Sequence, residues 1–276
     1  MLLVSTISQL SNRLSAENRV IFVPTMGNLH EGHLSLMRQA REYGGCVVAS
    51  IFVNPLQFGP NEDFDQYPRT LDADCAKLHD LVDVVFSPAV SEMYPVQQAV
   101  FIEPPSIANQ LCGAARPGHF RGMATIVLKL LNIVRPQVAL FGKKDYQQLH
   151  IIRQMAGQLN LAVEIVGGET VRAPDGLALS SRNQYLDEAQ RRESAFLYRT
   201  LQHIRRELIK GMSCFEALEA QAVDDLTARG WVVDYVSICN QMDLQPVTHN
   251  TQEGVILAAA RLGGTRLLDN VEFTFN

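Results

Sequence analysis

The sequence predicts an α/β protein, a Rossmann-like doubly wound parallel sheet followed by a smaller C-terminal α+β domain. Three observations carry this. Short apolar, β-branched runs alternate with helical patterns at the spacing of βαβ units. Polar motifs follow these runs directly, where open α/β sheets bind ligands. Near Arg172-Ala173-Pro174-Asp175-Gly176 the alternation gives way to long helical stretches and then to hairpin-like strands.

The strand-like runs of the first part are 20–23, 46–53, 82–86, 138–141 and 162–166. Each is a near-continuous apolar run of the kind a parallel strand shows when both its faces are covered. Helical periodicity fills the gaps at 34–43, 70–79, 124–134 and 146–159. The Pro-Asp-Gly turn marks the passage from a domain at 1–174 to one at 175–276. Beyond it, 187–210 and 214–229 are rich in Glu and Arg and read as helices. The runs 232–237 and 255–261 read as strands, and a Gly263-Gly264-Thr265 turn leads into 266–268.

The bulk numbers narrow the function classes. A chain of 276 residues, 47% hydrophobic and 19% charged, has the composition of an ordinary globular protein. Its net charge of −5 speaks against a broad nucleic-acid footprint, which needs a basic surface. No run of 18 apolar residues exists to span a membrane, and Met1-Leu2-Leu3-Val4-Ser5 lacks the basic start of a secretory signal. The 5 cysteines are scattered with no Cys-x-x-Cys, and several sit in apolar stretches, which reads as buried free thiols in a reducing compartment.

The most informative run is Met26-Gly27-Asn28-Leu29-His30-Glu31-Gly32-His33. It leaves a strand and enters a helix, so backbone N–H groups and the positive helix end meet there. Two imidazoles spaced i, i+3 add donors for phosphate oxygens, and Gly27 and Gly32 let a ligand approach the main chain. The reading is a nucleotide phosphate cradle; a helix start capped by histidine is the plainer alternative. No third ligand with metal spacing accompanies the histidines.

Four further constellations follow. Asn54 and Gln57 leave the second strand, as recognition amides or as turn residues. Arg116-Pro117-Gly118-His119-Phe120-Arg121-Gly122 is an anion clamp or a solvated basic loop. Gly142-Lys143-Lys144-Asp145-Tyr146-Gln147-Gln148 follows another strand. Its lysines suit phosphate, and Asp145 suits a ribose hydroxyl, a metal ion or a helix cap. Leu179-Ser180-Ser181-Arg182-Asn183 is a compact phosphate clamp or a helix N-cap.

In this order, the five segments resemble the pantothenate synthetase (pantoate–β-alanine ligase) family of the HIGH-motif nucleotidylyltransferase-like superfamily. The resemblance implies an ATP-dependent condensation of (R)-pantoate with β-alanine through a pantoyl adenylate, with Mg²⁺ accompanying ATP. It also implies a cytoplasmic homodimer on the route to coenzyme A, with no nucleic-acid or membrane partner. By the same resemblance, His30, His33, Lys144 and Arg182 carry catalysis, with His33 the family's assigned proton donor. The ATP contacts are Met26, Gly27, Asn28, Leu29, His30, Glu31, Gly32, His33, Gly142, Lys143, Lys144, Asp145, Val171, Leu179, Ser180, Ser181 and Arg182. Gln57, Gln148, Asn54 and His119 would hold pantoate, and Gln57 would also meet β-alanine. No dedicated protein ligands for the metal are implied, although Asp145 would lie near it. Two positions depart from the family's usual residues. Leu179 stands where many relatives carry Met, and Lys143 where many carry an acidic residue or Gln.

Overall fold

A computed structural model describes residues 1–60 and 62–275. They form two compact units. The first comprises Met1–Ala108, Arg116–Lys143 and Gln148–Glu169. The second comprises Asn109–Ala115, Lys144–Gln147 and Thr170–Asn276.

The first unit holds a six-stranded sheet. Its strands are β1 (Leu2–Val4), β2 (Val20–Thr25), β3 (Cys46–Ile51), β4 (Val84–Phe86), β5 (Val138–Gly142) and β6 (Glu164–Gly168), in spatial order β1-β4-β3-β2-β5-β6. Every pairing is parallel. From β2 the chain winds outward through β3 and β4, then returns to start again at β5 on β2's other side. That reversal puts the topological switch point between β2 and β5, where doubly wound sheets bind ligands.

The helices are α1 (Ile7–Leu14), α2 (Glu31–Glu42), α3 (Leu71–Leu78), α4 (Val90–Met93), α5 (Cys112–Ala115), α6 (His119–Val134) and α7 (Tyr146–Gln158). Of these, α5 and the first two residues of α7 belong to the second unit. Alternate strand residues supply the two faces of the sheet. Ile21, Val23, Val47, Ala49, Ile51, Val85, Val138 and Leu140 form one core with Leu36, Met37 and Ala40 of α2 and Leu78 of α3. α6 packs against β2 and against the short turn Pro55–Gln57.

The second unit holds α8 (Glu188–Ser194), α9 (Phe196–Ile209), α10 (Phe215–Ala228) and an antiparallel sheet β7-β8-β9 (Trp231–Asn240, Glu253–Leu262, Thr265–Thr274). Gly263-Gly264 makes the two-residue hairpin that joins β8 to β9, with Gly263 at φ +59. Its core gathers Leu201 and Ile204 of α9, Leu226 of α10, and Trp231, Ile238, Ile256 and Phe273 of the sheet.

The alternation predicted from sequence is thus observed, with strand ends shifted by a few residues, two short helices (α4 and α5) added, and three further differences that have a physical reason. β1 and α1 precede the first predicted strand; β1 is only three residues long and two of them are exposed, too little pattern to read. α6 begins at His119 rather than 124, because Gly118 at φ +81 starts it. The helix predicted over 187–210 is two helices interrupted at Ala195, where the sequence holds no Pro or Gly. All five cysteines are free thiols. Cys46 and Cys239 are buried, and burial pushes both up to about 11. The expectation of burial fails for the others: Cys75 and Cys112 are only partly buried, and Cys214, at the start of α10, is exposed because it stands at a helix end rather than in an apolar run. Among the described residues, no helix is long and apolar enough to cross a membrane.

Candidate active site

At the carboxyl end of β2 the chain turns through Gly27 (φ +83) and Asn28 (φ +50) before α2 begins. A Cβ on Gly27 would lie 3.0 Å from Ile51 and 3.1 Å from Asp74, so the turn needs both the conformation and the space of glycine. Thr25 donates its hydroxyl to the Ser50 carbonyl (2.7 Å) and accepts from the Gly27 N–H (3.3 Å), which ties the end of β2 to β3. Behind the loop sits Asp74, fully buried. Its carboxylate accepts the backbone N–H of Asn28 and of Leu29, each at 2.8 Å, and the Thr70 hydroxyl at 3.0 Å. Lys77 donates to the Leu29 carbonyl at 2.6 Å. Neither Asp74 nor Lys77 stands out in the sequence; an acidic residue in the first turn of α3 and a basic one in its last read as ordinary helix-dipole partners.

His30 is the N-cap of α2. Its Nδ1 accepts the Gly32 N–H at 3.2 Å, and the Nδ1 of His33 accepts the His30 N–H at 3.3 Å. Backbone N–H groups can only donate, so both rings must offer a lone pair at Nδ1 and carry their proton at Nε2. The capping alternative and the phosphate alternative are therefore one arrangement: the cap orients two Nε2–H donors. The rings lie 4.1 Å apart, both half-buried. Gly32 makes room for this, since a Cβ there would sit 2.9 Å from the His30 ring.

At the carboxyl end of β3, Asn54 and Gln57 are both buried. Asn54 has each polar position filled. Its Oδ1 accepts the Tyr94 hydroxyl (2.7 Å) and the Leu56 N–H (3.3 Å), and its Nδ2 donates to Gln57 Oε1 and to the Gly122 carbonyl, both at 3.2 Å. Gln57 turns its Nε2 to the Met26 sulfur, 2.9 Å away. His119 also faces inward. Its Nδ1 donates to the Gln57 carbonyl (2.8 Å) and its Nε2 accepts from Arg116 (2.9 Å). Arg116 forks onto Glu62 at 2.6 and 2.5 Å. Burial pushes the Glu62 carboxyl up, yet the Arg116 fork outweighs this and holds it below its ordinary value. The basic loop is thus a brace that grips the main chain at Gln57. Gly122 allows it: a Cβ there would lie 1.9 Å from the Leu56 carbonyl oxygen, so only glycine lets α6 come this close.

Gly142 ends β5, next to β2 in the sheet, and Gln148 lies half-buried on α7. Lys143 pairs with Glu169 at 2.6 Å.

In the second unit, Lys144 and Asp145 lie 3.8 Å apart, with Asp145 about half exposed. The segment is pinned to β9, where Asn270 donates to the Lys144 carbonyl (2.9 Å) and Tyr146 donates to Glu272 (2.8 Å). The loop carrying Leu179, Ser180, Ser181 and Arg182 leaves a small hairpin. Arg172 bridges to Ala178, and the Leu179 N–H donates to the Val171 carbonyl at 3.0 Å. Ser180 caps the turn Ser181–Tyr185 by accepting the Arg182 N–H (3.3 Å). The hairpin is fixed by Arg172, which forks onto buried Asp269 at 2.6 and 2.8 Å and stacks 3.8 Å over the Tyr198 ring. Among the described residues, no group of three or more His, Cys, Asp or Glu could hold a metal ion.

Comparison with known proteins gives the family and the fold. The family model described as pantoate-beta-alanine ligase matches residues 3–272. Pantothenate synthetases of Methylobacillus flagellatus and Nitrosospira multiformis are each 56% identical, covering 99% and 98% of this chain and 98% of their own lengths. The crystal structure of pantothenate synthetase from Thermus thermophilus superposes with a TM-score of 0.93 at 43% identity, covering 98% of this chain and 99% of its own. Pantoate-beta-alanine ligase from Francisella tularensis, crystallised with beta-gamma ATP and beta-alanine, gives 0.83 at 35% identity, covering 98% and 97%. The chain belongs to the pantoate–β-alanine ligase family.

Proposed function

We propose a residue-level account of how this pantoate–β-alanine ligase joins its substrates. The reaction condenses (R)-pantoate with β-alanine at the expense of ATP, giving pantothenate, AMP and pyrophosphate. A carboxylate oxygen of pantoate attacks the α-phosphorus, pyrophosphate leaves, and pantoyl adenylate results. The amine of β-alanine then attacks the acyl carbon, loses a proton, and expels AMP. The substrates supply both nucleophiles, so the protein's task is to position them and stabilise charge.

The observation that carries the residue assignment is the double cap at the start of α2. It orients the Nε2 protons of His30 and His33 at the switch point of the sheet, on a main chain held from behind by Asp74. We assign residues 26–33 and Gly142 to ATP, with His33 donating to the charge that grows on the α-phosphate and the departing pyrophosphate. From the second unit, Lys144, Asp145, Ser180, Ser181 and Arg182 are proposed ATP ligands, with the main chain of Val171 and Leu179 beside the adenine. Lys143, paired with Glu169, would tune the local potential at ATP. Gln57 and Gln148 would hold pantoate, and Gln57 would also meet β-alanine. Asn54 and His119 complete that pocket through Gln57, since the structure turns their polar atoms onto the protein itself.

Mg²⁺ fits this donor set as an ion brought by ATP. Magnesium is held mainly by substrate phosphates with one or two carboxylates, and half-exposed Asp145 beside Lys144 offers one. Bound there, the ion would neutralise phosphate charge. We further propose a cytoplasmic homodimer; a monomer mass in light scattering would refute the dimer.

The test of function is product release. ATP with pantoate alone should give one equivalent of pyrophosphate per active site and then stop, and β-alanine should restore turnover with AMP release. Sustained pyrophosphate release without β-alanine, or none until it is added, would overturn the two-step account.

A further inference from the structure

The amide of Asn54 sits between two partners that cannot change role. The Leu56 N–H can only donate and the Gly122 carbonyl can only accept, so Oδ1 must face Leu56 and Nδ2 must face Gly122. This settles the rest of the chain. With its oxygen toward Leu56, Asn54 takes the Tyr94 hydroxyl as a donor at 2.7 Å. The second Nδ2 proton goes to Gln57 Oε1 at 3.2 Å. The oxygen of Gln57 is thereby engaged inside the protein, and its NH₂ group points toward Met26 on the β2 loop. Hydrogen bonds aligned in one direction strengthen one another.

We propose that Tyr94 is a positioning residue for the acid substrate: its hydroxyl holds in place the Asn54 amide that Leu56 and Gly122 orient, and Asn54 in turn fixes the amide of Gln57 so that this side chain presents N–H, never C=O, to pantoate. This rests on the assignment of Gln57 to pantoate. The chemistry that follows is selective. The position reads an acceptor, a carboxylate or hydroxyl oxygen, and rejects a donor such as an ammonium group. Tyr94 suits the role. Its ring contacts Phe52, with centroids 6.1 Å apart, and the Lys129 ammonium, 4.5 Å from the ring centre. Burial pushes its phenol up, so it remains a donor throughout the working range. Nothing in the sequence marks it; in Met93-Tyr94-Pro95 it reads as one more turn aromatic.

The test is a double-mutant cycle on the full enzyme with Tyr94→Phe and Gln57→Ala, reading kcat and the KM for pantoate and for ATP. Tyr94→Phe removes one hydroxyl and keeps the ring. It should raise the pantoate KM about tenfold, the weight of one hydrogen bond, with the ATP KM unchanged and the melting temperature lowered by no more than the few degrees that one hydrogen bond costs. In the Gln57→Ala background the same change should do nothing further, because its target is gone. A full additional tenfold effect in that background would assign Tyr94 to packing and overturn the proposal, as would an unchanged pantoate KM in Tyr94→Phe. If Gln57→Ala itself leaves the pantoate KM unchanged, the assignment of Gln57 to pantoate is wrong and the proposal goes with it.

Discussion

The loop after β2 and the hairpin beginning at Val171 are each braced by a buried aspartate, and they use it in opposite ways. Asp74, 0% exposed, accepts two backbone N–H groups and holds the main chain of Asn28 and Leu29 directly. Asp269, 4% exposed, accepts the N–H of its neighbour Asn270 but holds the hairpin only through a side chain, the guanidinium of Arg172, which in turn grips the Gly176 carbonyl at 3.0 Å. The first device fixes the peptide directly and makes no use of the imidazoles of His30 and His33, for which a role at phosphate is proposed. The second depends on one long side chain, so its failure would leave a buried cation behind. The two should therefore break differently.

The largest effect is expected at the ion pair. Asp269→Ala strands Arg172, whose side chain is only 18% exposed, and should cost about 3–5 kcal/mol in chemical denaturation. A loss below about 1 kcal/mol would mean that Arg172 escapes to water and the hairpin is not held this way. Next comes His33→Ala. It should slow pyrophosphate release by about 10²–10³, about 3–4 kcal/mol in the barrier, with little change in melting temperature. Release at the wild-type rate would withdraw the charge-stabilising role from His33. Asp74→Asn is smaller. The new amide can accept only one of the two N–H groups well and turns its own NH₂ toward the other, for about 1–3 kcal/mol of stability and a raised ATP KM. If stability fell while the ATP KM held, the brace would serve the fold alone.

The smallest effect belongs to Glu62, whose carboxyl is held low by Arg116 against the push of burial. A folded-state value below that of the unfolded chain means stability that is present above about pH 4.3 and is lost as the pH falls through the folded value. With both side chains partly open to water, we expect less than about 1 kcal/mol. Melting curves of wild type and Glu62→Gln should converge on acidification. Curves that stay parallel would show that the carboxylate charge contributes nothing.

These contrasts also separate what sequence could reveal from what it could not. The strand-turn-helix at Val20 through His33 was legible because burial on both faces writes a continuous apolar run and the turn demands glycine. The amides after β3 and the glycine and lysines after β5 stood out for the same reason. Asp74 was not legible: its partners lie 45 and 46 residues away, and nothing local distinguishes it from a helix-start aspartate. Asn54 and His119 were recognisable as polar residues near a strand end, but which way their polar atoms turn depends on Gly122, Tyr94 and Arg116, each set by the fold rather than by local pattern. The break at Ala195 was hidden among good helix formers.

The uneven setting of the cysteines has a practical use. Two are sealed in the core as unreactive thiols, while Cys214 stands in solvent at the head of α10, where its side chain caps nothing. A maleimide dye added at neutral pH would couple there first. It would give the unit that carries Ser180 and Arg182 a spectroscopic reporter with no engineered mutation.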